Sequence, residues 1–289
     1  MLTNIHSGKG VIGEQLTTII NYYNKQGFET TVYISQYPKH IKEIIQNNGD
    51  KYDNIICSGG DGSLNEAVNG LLTLKTKPIF GYIPSGSTND FANSLGIPLN
   101  IEDSYKTAIH GKPFNLDIGK INNKYFTYVA GFGLFTNISY ETPQNFKNIL
   151  GYQAYLLEGI KQLSNIEKYR LNITYDNNNV IADDIIIGLV SNSNSIAGMT
   201  KIFENYAQLN DGLFEILLVK YPKNVYVLKN IINCIVEKSF DNELFYSFKA
   251  HTINIQSQRN IKWTIDGEYC GSYNEANINV INQAISINC

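Results

Sequence analysis

A glycine-rich segment with one acidic residue, GGDGS at Gly59–Ser63, follows strand-like residues 54–57 and precedes a helical pattern. Glycines let backbone N–H groups approach an anion closely, and Ser63 could cap a helix whose positive end faces a phosphate. A carboxylate beside a phosphate is repulsive unless a cation lies between them, so Asp61 predicts Mg²⁺. The alternative is an ordinary strand-to-helix turn, in which glycine and aspartate are common.

A second polar loop, PSGSTNDFA at residues 84–92, follows the next strand-like run. The carboxyl ends of neighbouring strands in an open parallel sheet meet at one edge, so we expect the two loops to converge. In the alternative interpretation Ser87 or Thr88 only caps the following helix, and Asp90 only favours the helix dipole.

Two further charged residues could take part in chemistry. Lys9 lies in the glycine-bearing loop Asn4–Gly10 and could reach a phosphate, although a lone lysine is more often solvated. Asp266 follows the strand-like run Ile261–Ile265, so a strand would fix its carboxylate while Gly267 permits the turn behind it. Without other information, an Asp-Gly pair is an ordinary turn that ends a strand.

The elements that must position these residues change along the chain. Helical patterns near residues 12–23, 39–46, 63–72 and 88–95 alternate with strand-like runs at 28–34, 54–57 and 79–83. This alternation predicts a parallel sheet wrapped by helices.

From Phe114 onward the pattern is mostly that of antiparallel β-structure. Strand-like runs occur at residues 117–121, 125–129, 171–175, 180–187, 212–219, 252–256, 261–265 and 278–280, with one helical stripe over 152–163. We place the boundary near Gly119, giving domains 1–118 and 119–289, and a cleft between them is the default place for a ligand.

Composition excludes several classes of function. The 289 residues carry a net charge of -3 and only two arginines, Arg170 and Arg259, which argues against a nucleic-acid-binding protein. The four cysteines form no C-x-x-C pair and the four histidines show no ligand spacing, so neither zinc nor a disulfide framework is expected. Reduced thiols indicate the cytoplasm. No run reaches the roughly 18 apolar residues of a spanning helix, so any membrane contact is expected to be peripheral.

An ordered set of motifs then carries a family resemblance. In chain order they are GGDGS at 59–63, GYIP at 81–84, GSTNDFA at 86–92, DIG at 117–119, AGFG at 130–133, AQLNDGLF at 207–214 and DGE at 266–268. Together they resemble the catalytic domain of the diacylglycerol and sphingolipid kinase superfamily, especially its soluble bacterial members. The likeness covers nearly the whole chain in the family's order.

This resemblance implies an ATP-dependent lipid kinase that transfers the γ-phosphate to a lipid hydroxyl, with diacylglycerol as the favoured acceptor and phosphatidic acid as the product. The implied fold class is α/β plus β: an N-terminal parallel-sheet α/β nucleotide-binding domain followed by an antiparallel β-sandwich domain, with a cleft between them. The implied partner is a lipid at the membrane surface, met by transient peripheral association, and a homodimer is left open.

The resemblance also assigns roles to residues. The nucleotide would be held by Asn4, Lys9, Gly59, Gly60, Gly62, Ser63, Thr88 and Asn89. The catalytic Mg²⁺ network would be organised by Asp61, Asp90 and Asp211. Asp266 would be the general base, supported by Glu268.

The chain departs from the family pattern at a few positions. Ile5 stands where proline usually follows the opening asparagine, and Ser87 stands where threonine is usual but keeps a hydroxyl. Asn210 replaces one of two acids, which weakens the case for an additional structural metal at that turn.

Two alternatives to a lipid kinase stay open. NAD kinase has a similar GGDG loop and two-domain plan, and a non-catalytic nucleotide- or lipid-binding regulator could use the same fold. The NDFA step and the late DGE motif favour a lipid hydroxyl over NAD. The retention of Asp61, Asp90, Asp211 and Asp266 argues against a regulator.

Overall fold

The computed structural model of the protein describes residues 1–4, 11–87, 89–133, 166–193, 195–196, 199–200, 208–240 and 243–289. Its helices are α1 (Val11–Lys25), α2 (His40–Asn48), α3 (Asp61–Leu71), α4 (Asp90–Leu95), α5 (Ile101–His110) and α6 (Val225–Glu237), with a 3₁₀ turn at Gly49–Lys51. Its strands are β1 (Leu2–Thr3), β2 (Tyr33–Ile34), β3 (Asn54–Gly59), β4 (Ile79–Pro84), β5 (Pro113–Ile121), β6 (Lys124–Phe126), β7 (Val129–Gly133), β8 (Tyr169–Tyr175), β9 (Asn179–Ser191), β10 (Ser195–Ile196), β11 (Met199–Thr200), β12 (Phe214–Lys220), β13 (Phe245–Ala250), β14 (Thr252–Ile265) and β15 (Glu268–Asn288).

The N-terminal half is a parallel sheet in the order β2-β1-β3-β4, with helices on both faces. Successive side chains of a strand point to opposite faces, and β3 shows this clearly. Ile56 packs with α1 and α5, whereas Ile55 packs in the cluster that contains residues of α2 and α3. The helices bind the sheet through apolar residues at helical spacing, such as Ile12 and Ile19 of α1.

The C-terminal half consists mainly of antiparallel pairs in the order β13-β12-β9-β7-β14-β15. Its own core is centred on fully buried aromatic side chains, including Phe132, Phe214 and Trp263. This arrangement confirms the expected change from α/β to β-rich structure along the chain.

The last strand, β15, connects the two halves. It pairs with β14 and β5, and near its end Ile287 pairs in parallel with Phe80 of β4. One large hydrophobic cluster therefore contains residues of both halves. β5 runs through the expected boundary at residues 118 and 119, which stays a prediction.

Several predicted elements differ from those observed. Of the strand predicted at 28–34, only β2 forms. The first residues of that run still belong to the end of α1, because Phe28 N donates to Tyr23 O. The two strands predicted at 252–256 and 261–265 form one strand, β14, with a register shift between them. The sequence patterns missed α5, α6 and β13. The helical stripe predicted at 152–163 lies outside the described residues.

Candidate active site

The two polar loops converge at the carboxyl edge of the parallel sheet. β3 and β4 pair so that Gly59 lies opposite Pro84, and Ser85 N donates a 2.8 Å hydrogen bond to Gly59 O. Gly60 and Gly86 pack backbone to backbone: a Cβ added to Gly86 would lie 2.5 Å from Gly60 Cα. A Cβ on Gly60 would lie 3.2 Å from Gly86 Cα, so the close approach of the loops requires glycine most strictly at Gly86.

Asp61 links the first loop to the helix that follows the second. Its Oδ2 accepts from Asp90 N at 3.1 Å and its Oδ1 accepts from Phe91 N at 3.3 Å. Burial raises the pKa of Asp61 to about 6; the two backbone donors lower it, and the nearby carboxylates of Asp90 and Asp266 raise it. A carboxylate that occupies the free N–H groups of a helix end stabilises that end, so Asp61 also fixes the start of α4.

Ser63 does not cap the helix, contrary to the prediction. The helix begins at Asp61 with Gly60 as its N-cap, so Ser63 lies within the first turn and is buried. Its side chain occupies the space that a Cβ on Gly59 would need. Ser63 thus packs against the glycine loop, and the early start of the helix is the reason.

Asn89 stabilises the second loop through hydrogen bonds to the backbone of the same loop. It has a left-handed backbone with φ 52, and its side chain closes a ring with Gly86: Gly86 N donates to Asn89 Oδ1 at 2.9 Å, and Asn89 Nδ2 donates to Gly86 O at 3.0 Å. Asn4 approaches from β1, where its backbone N donates to Ser58 O at 3.0 Å. Lys9 and Thr88 lie outside the described residues.

The carboxylate of Asp266 is buried and accepts five hydrogen bonds. Oδ2 accepts from Asn65 Nδ2 at 2.6 Å, from Thr127 N at 2.7 Å and from Thr127 Oγ1 at 2.8 Å. Oδ1 accepts from Tyr128 N at 3.0 Å and from Val129 N at 3.1 Å. Burial raises the pKa of Asp266, while the donors from Thr127, Tyr128 and Val129 lower it. Asp266 has a left-handed backbone conformation with φ 46, which aspartate adopts more readily than most residues other than glycine.

Glu268 begins β15 directly after this turn and is exposed. Its Oε1 is 3.4 Å from the position that a Cβ on Gly62 would occupy. The DGE turn between β14 and β15 is therefore placed against the glycine loop, although about 200 residues separate them in the chain.

Asp211 is placed differently. Lys249 Nζ is 3.1 Å from its Oδ2 and 3.0 Å from Glu215 Oε1, and Leu213 N donates to Asp211 Oδ1. The turn is anchored by buried Asp117, whose Oδ2 accepts from Gly212 N at 2.6 Å. These contacts of Asp211 are with its own turn and with β13, not with the two loops. Its role in a Mg²⁺ network stays a prediction.

The charge pattern at the loops suits a magnesium ion. Mg²⁺ is usually bound through one or two carboxylates together with substrate phosphates and water. Asp61 and Asp90 supply two neighbouring carboxylates. Burial is the main cause that raises the pKa of Asp61, and the smaller repulsion from Asp90 and Asp266 adds to it; a cation would relieve both. Within the described ranges, no group of three or more histidine, cysteine, aspartate or glutamate side chains is arranged to hold a metal by itself. The residues fit an ion that the nucleotide helps to bind.

Sequence reasoning missed two partners of this site, Asn65 and Thr127. Asn65 carried a usable signal, because it lies four residues after Asp61 and so shares its helix face. Thr127 carried none, because its contact with Asp266 joins residues 139 positions apart.

Comparisons with known proteins agree with this arrangement. A family model described as the diacylglycerol kinase catalytic domain matches residues 1–121, and one described as the YegS C-terminal NAD kinase beta sandwich-like domain matches residues 131–289. The chain is 30% identical over 273 residues to the diacylglycerol kinase of Bacillus subtilis (strain 168), covering 94% of this chain and 89% of that protein. It is 34% identical over 274 residues to the diacylglycerol kinase of Staphylococcus aureus (strain JH9), covering 94% and 86%.

Solved structures show the same fold. A crystal structure of a protein from Bacillus anthracis str. Sterne has a TM-score of 0.81 and 25% identity, covering 99% of this chain and 95% of that chain. Another from the same source, described as a diacylglycerol kinase, has a TM-score of 0.75 and 24% identity, covering 99% and 94%.

Proposed function

The chain belongs to the family of bacterial diacylglycerol kinases and is an ATP-dependent lipid kinase, and we propose that it phosphorylates the free hydroxyl of diacylglycerol to give phosphatidic acid at a site between the two loops and the DGE turn. The observation that carries this proposal is the position of Asp266. Its carboxylate is bonded to Asn65 of the helix that begins in the glycine loop. A proton acceptor thus lies beside the loop that would hold the phosphates.

The nucleotide would bind at the converging loops. Backbone N–H groups of Gly60 and Gly62 would approach the phosphates, and Asn4, Ser63 and Asn89 would shape the loops around them, as their contacts suggest. We retain Lys9 and Thr88 as proposed nucleotide contacts. Mg²⁺, held by Asp61 and Asp90, would neutralise charge on the phosphates.

The chemical step needs a proton acceptor for the lipid hydroxyl. As the hydroxyl oxygen forms its bond to the γ-phosphorus, the bond from that phosphorus to the bridging oxygen of ADP breaks. The hydroxyl proton goes to Asp266 and is later released to water. Both oxygens of Asp266 already accept hydrogen bonds, so an incoming hydroxyl must displace one donor. The Thr127 hydroxyl can rotate away from Oδ2 while Asn65 keeps its bond to that oxygen, whereas the backbone donors cannot move in this way.

Glu268 would support this step from the exposed side of the turn. It faces the glycine loop at Gly62, where it can orient groups near the phosphates without competing for the buried position of Asp266.

We place the reaction at a membrane surface reached from the cytoplasm. None of the helices in the described part of the chain has the length and apolar character needed to cross a membrane. Tyr269, which directly follows Glu268, is 67% exposed, so an aromatic side chain of the kind enriched at membrane interfaces stands next to the proposed site. A lipid kinase must meet its substrate at an interface, and such a group favours weak, reversible attachment.

An acceptor panel tests the function. Purified protein with radiolabelled ATP and Mg²⁺ should label diacylglycerol in mixed micelles, with monoacylglycerol, phosphatidylglycerol, a sphingoid base, NAD and no acceptor as the other arms. Transfer to NAD alone would overturn the lipid assignment, and preferred transfer to another lipid would replace diacylglycerol.

The membrane proposal has its own test. Flotation with phosphatidylglycerol vesicles should show weak binding, reduced by Tyr269→Ser. Full activity on a water-soluble acceptor with none on vesicles or micelles would contradict interfacial action. Sedimentation of the same preparation decides between a monomer and the homodimer that the resemblance leaves open.

A further inference from the structure

One face of α3 carries a row of polar side chains at Asp61, Asn65 and Asn69, each four residues from the next. Residues with this spacing are neighbours on a helix surface. The row begins in the glycine loop and runs toward Asp266. Asn65 Nδ2 donates to Asp266 Oδ2 at 2.6 Å, and Asn69 Nδ2 donates to Asn65 Oδ1 at 3.1 Å and to Asn65 O at 2.9 Å.

The contact with Asn69 determines which end of the Asn65 amide faces the carboxylate. An asparagine side chain has an acceptor oxygen and a donor nitrogen at nearly equivalent positions. Because Asn69 donates to the oxygen of Asn65, the nitrogen is left to face Asp266. The reversed amide would place an oxygen against a carboxylate and would also lose the bond from Asn69.

Asn65 differs from the other donors to Asp266 in its origin. The remaining donors come from residues 127–129, which run from the end of β6 into the first residue of β7, whereas Asn65 belongs to the helix of the glycine loop. Asn65 is half-buried and Thr127 is fully buried. The Asn65 side is thus the one from which solvent or a substrate can reach the carboxylate.

We propose that Asn65 is the positioning residue that aims the Asp266 carboxylate at the nucleotide loop, and that Asn69 acts through Asn65 by fixing its amide. The proposal rests on the proposed function, in which Asp266 accepts the proton of the lipid hydroxyl. It adds that the helix carrying the phosphate loop also sets the direction of the proton acceptor, so the two reacting groups are aligned by one element.

The first test compares variants of Asn65 with a matched control. Asn65→Leu keeps the size of the side chain but removes the hydrogen-bond donor. Asn65→Asp keeps its shape but places a second carboxylate against that of Asp266. Each should lower kcat by about tenfold or more while the affinity for ATP stays within a few-fold. Asn48→Leu is the control: like Asn69, Asn48 donates to the carbonyl four residues earlier, but on α2. It should leave kcat unchanged.

A double-mutant cycle shows whether Asn65 acts through Asp266. Asn65→Leu should lower kcat about tenfold in the parental protein and by less than about threefold in the Asp266→Asn background. Equal factors in both backgrounds would overturn the proposal, as would a loss of ATP affinity that matches the loss of kcat.

A second variant keeps the proposal testable if Asp266→Asn does not fold. Asn69→Leu leaves every donor to Asp266 in place, and it should lower kcat about three- to tenfold with unchanged ATP affinity. Parental kcat in Asn69→Leu would overturn the role of Asn69. Absence of lipid phosphorylation by the parental protein would instead refute the proposed function itself, so the two failures are distinguishable.

Discussion

Replacing Asp266 with asparagine is expected to have two separate effects, one on turnover and one on stability. The amide keeps the size of the side chain but removes the proton acceptor. General-base contributions are typically about 10²- to 10⁴-fold, so kcat should fall by that order while ATP affinity stays within a few-fold.

The five hydrogen bonds determine the effect on stability. If the amide oxygen takes the place of Oδ1, its NH₂ group faces Asn65 Nδ2, Thr127 N and Thr127 Oγ1. The hydroxyl can rotate to accept, which leaves two donors without a partner. At about 1–3 kcal/mol for each unsatisfied buried group, the unfolding free energy should fall by about 2–6 kcal/mol. The lower half of that range is expected, because the neutral amide avoids the burial of a charge.

The assay measures lipid phosphorylation, ATP binding and urea unfolding on the same preparation. Asp176→Asn is the matched control, because Asp176 also has a positive φ in a turn and its Oδ1 accepts from His251 N and Thr252 N. The control should keep parental kcat. Near-parental turnover by folded Asp266→Asn would show that the proton acceptor lies elsewhere, and Asp90 would be the next carboxylate to test. Loss of ATP binding together with turnover would show that the substitution had damaged the site as a whole.

Three further outcomes are expected. Protons compete with Mg²⁺ for Asp61, whose pKa is about 6, so at fixed ATP the free Mg²⁺ needed for half-maximal activity should rise about tenfold from pH 7.5 to pH 5. Asp61→Asn should lose activity together with this dependence. A Mg²⁺ requirement that does not change with pH in the parental protein would contradict the assignment. Burial raises the pKa of Glu215 to about 7, so the ionised carboxylate lowers the unfolding free energy. This loss is complete above pH 7 and decreases as the pH falls toward 4.5. In urea titrations Glu215→Gln should therefore gain up to about 3 kcal/mol relative to the parental protein at pH 8.5 and much less at pH 5; an equal difference at both values would refute this. Gly86→Ala should weaken ATP binding at least tenfold by separating the two loops. The control is Gly13→Ala, where a Cβ meets nothing within 4 Å; it should keep ATP affinity and gain about 0.5–1 kcal/mol of unfolding free energy. Unchanged ATP binding by Gly86→Ala would show that ATP binding does not need the contact between the loops.

The sequence by itself determined the change from α/β to β-rich structure and the convergence of the two polar loops. Both follow from local periodicity and from strand order: helical and strand patterns are read over about ten residues, and adjacent parallel strands end at the same edge. Gly59 and Pro84 lie opposite each other for this reason. The local sequence also indicated Asp266, but only as part of an Asp-Gly turn. Its role as a general base came from the family resemblance.

Tertiary structure decided what each polar group contacts. Asp61 lies in the glycine loop and also binds the start of α4, Ser63 packs inside its helix, and Asp211 pairs with Lys249. Asp266 meets Asn65 and Thr127 across 201 and 139 positions of chain. Such contacts depend on the register of paired strands, and on the return of β15 to the N-terminal sheet. Hydrogen-bond partners of this kind leave no periodic signal, because they are fixed by distances between elements rather than by spacing within one.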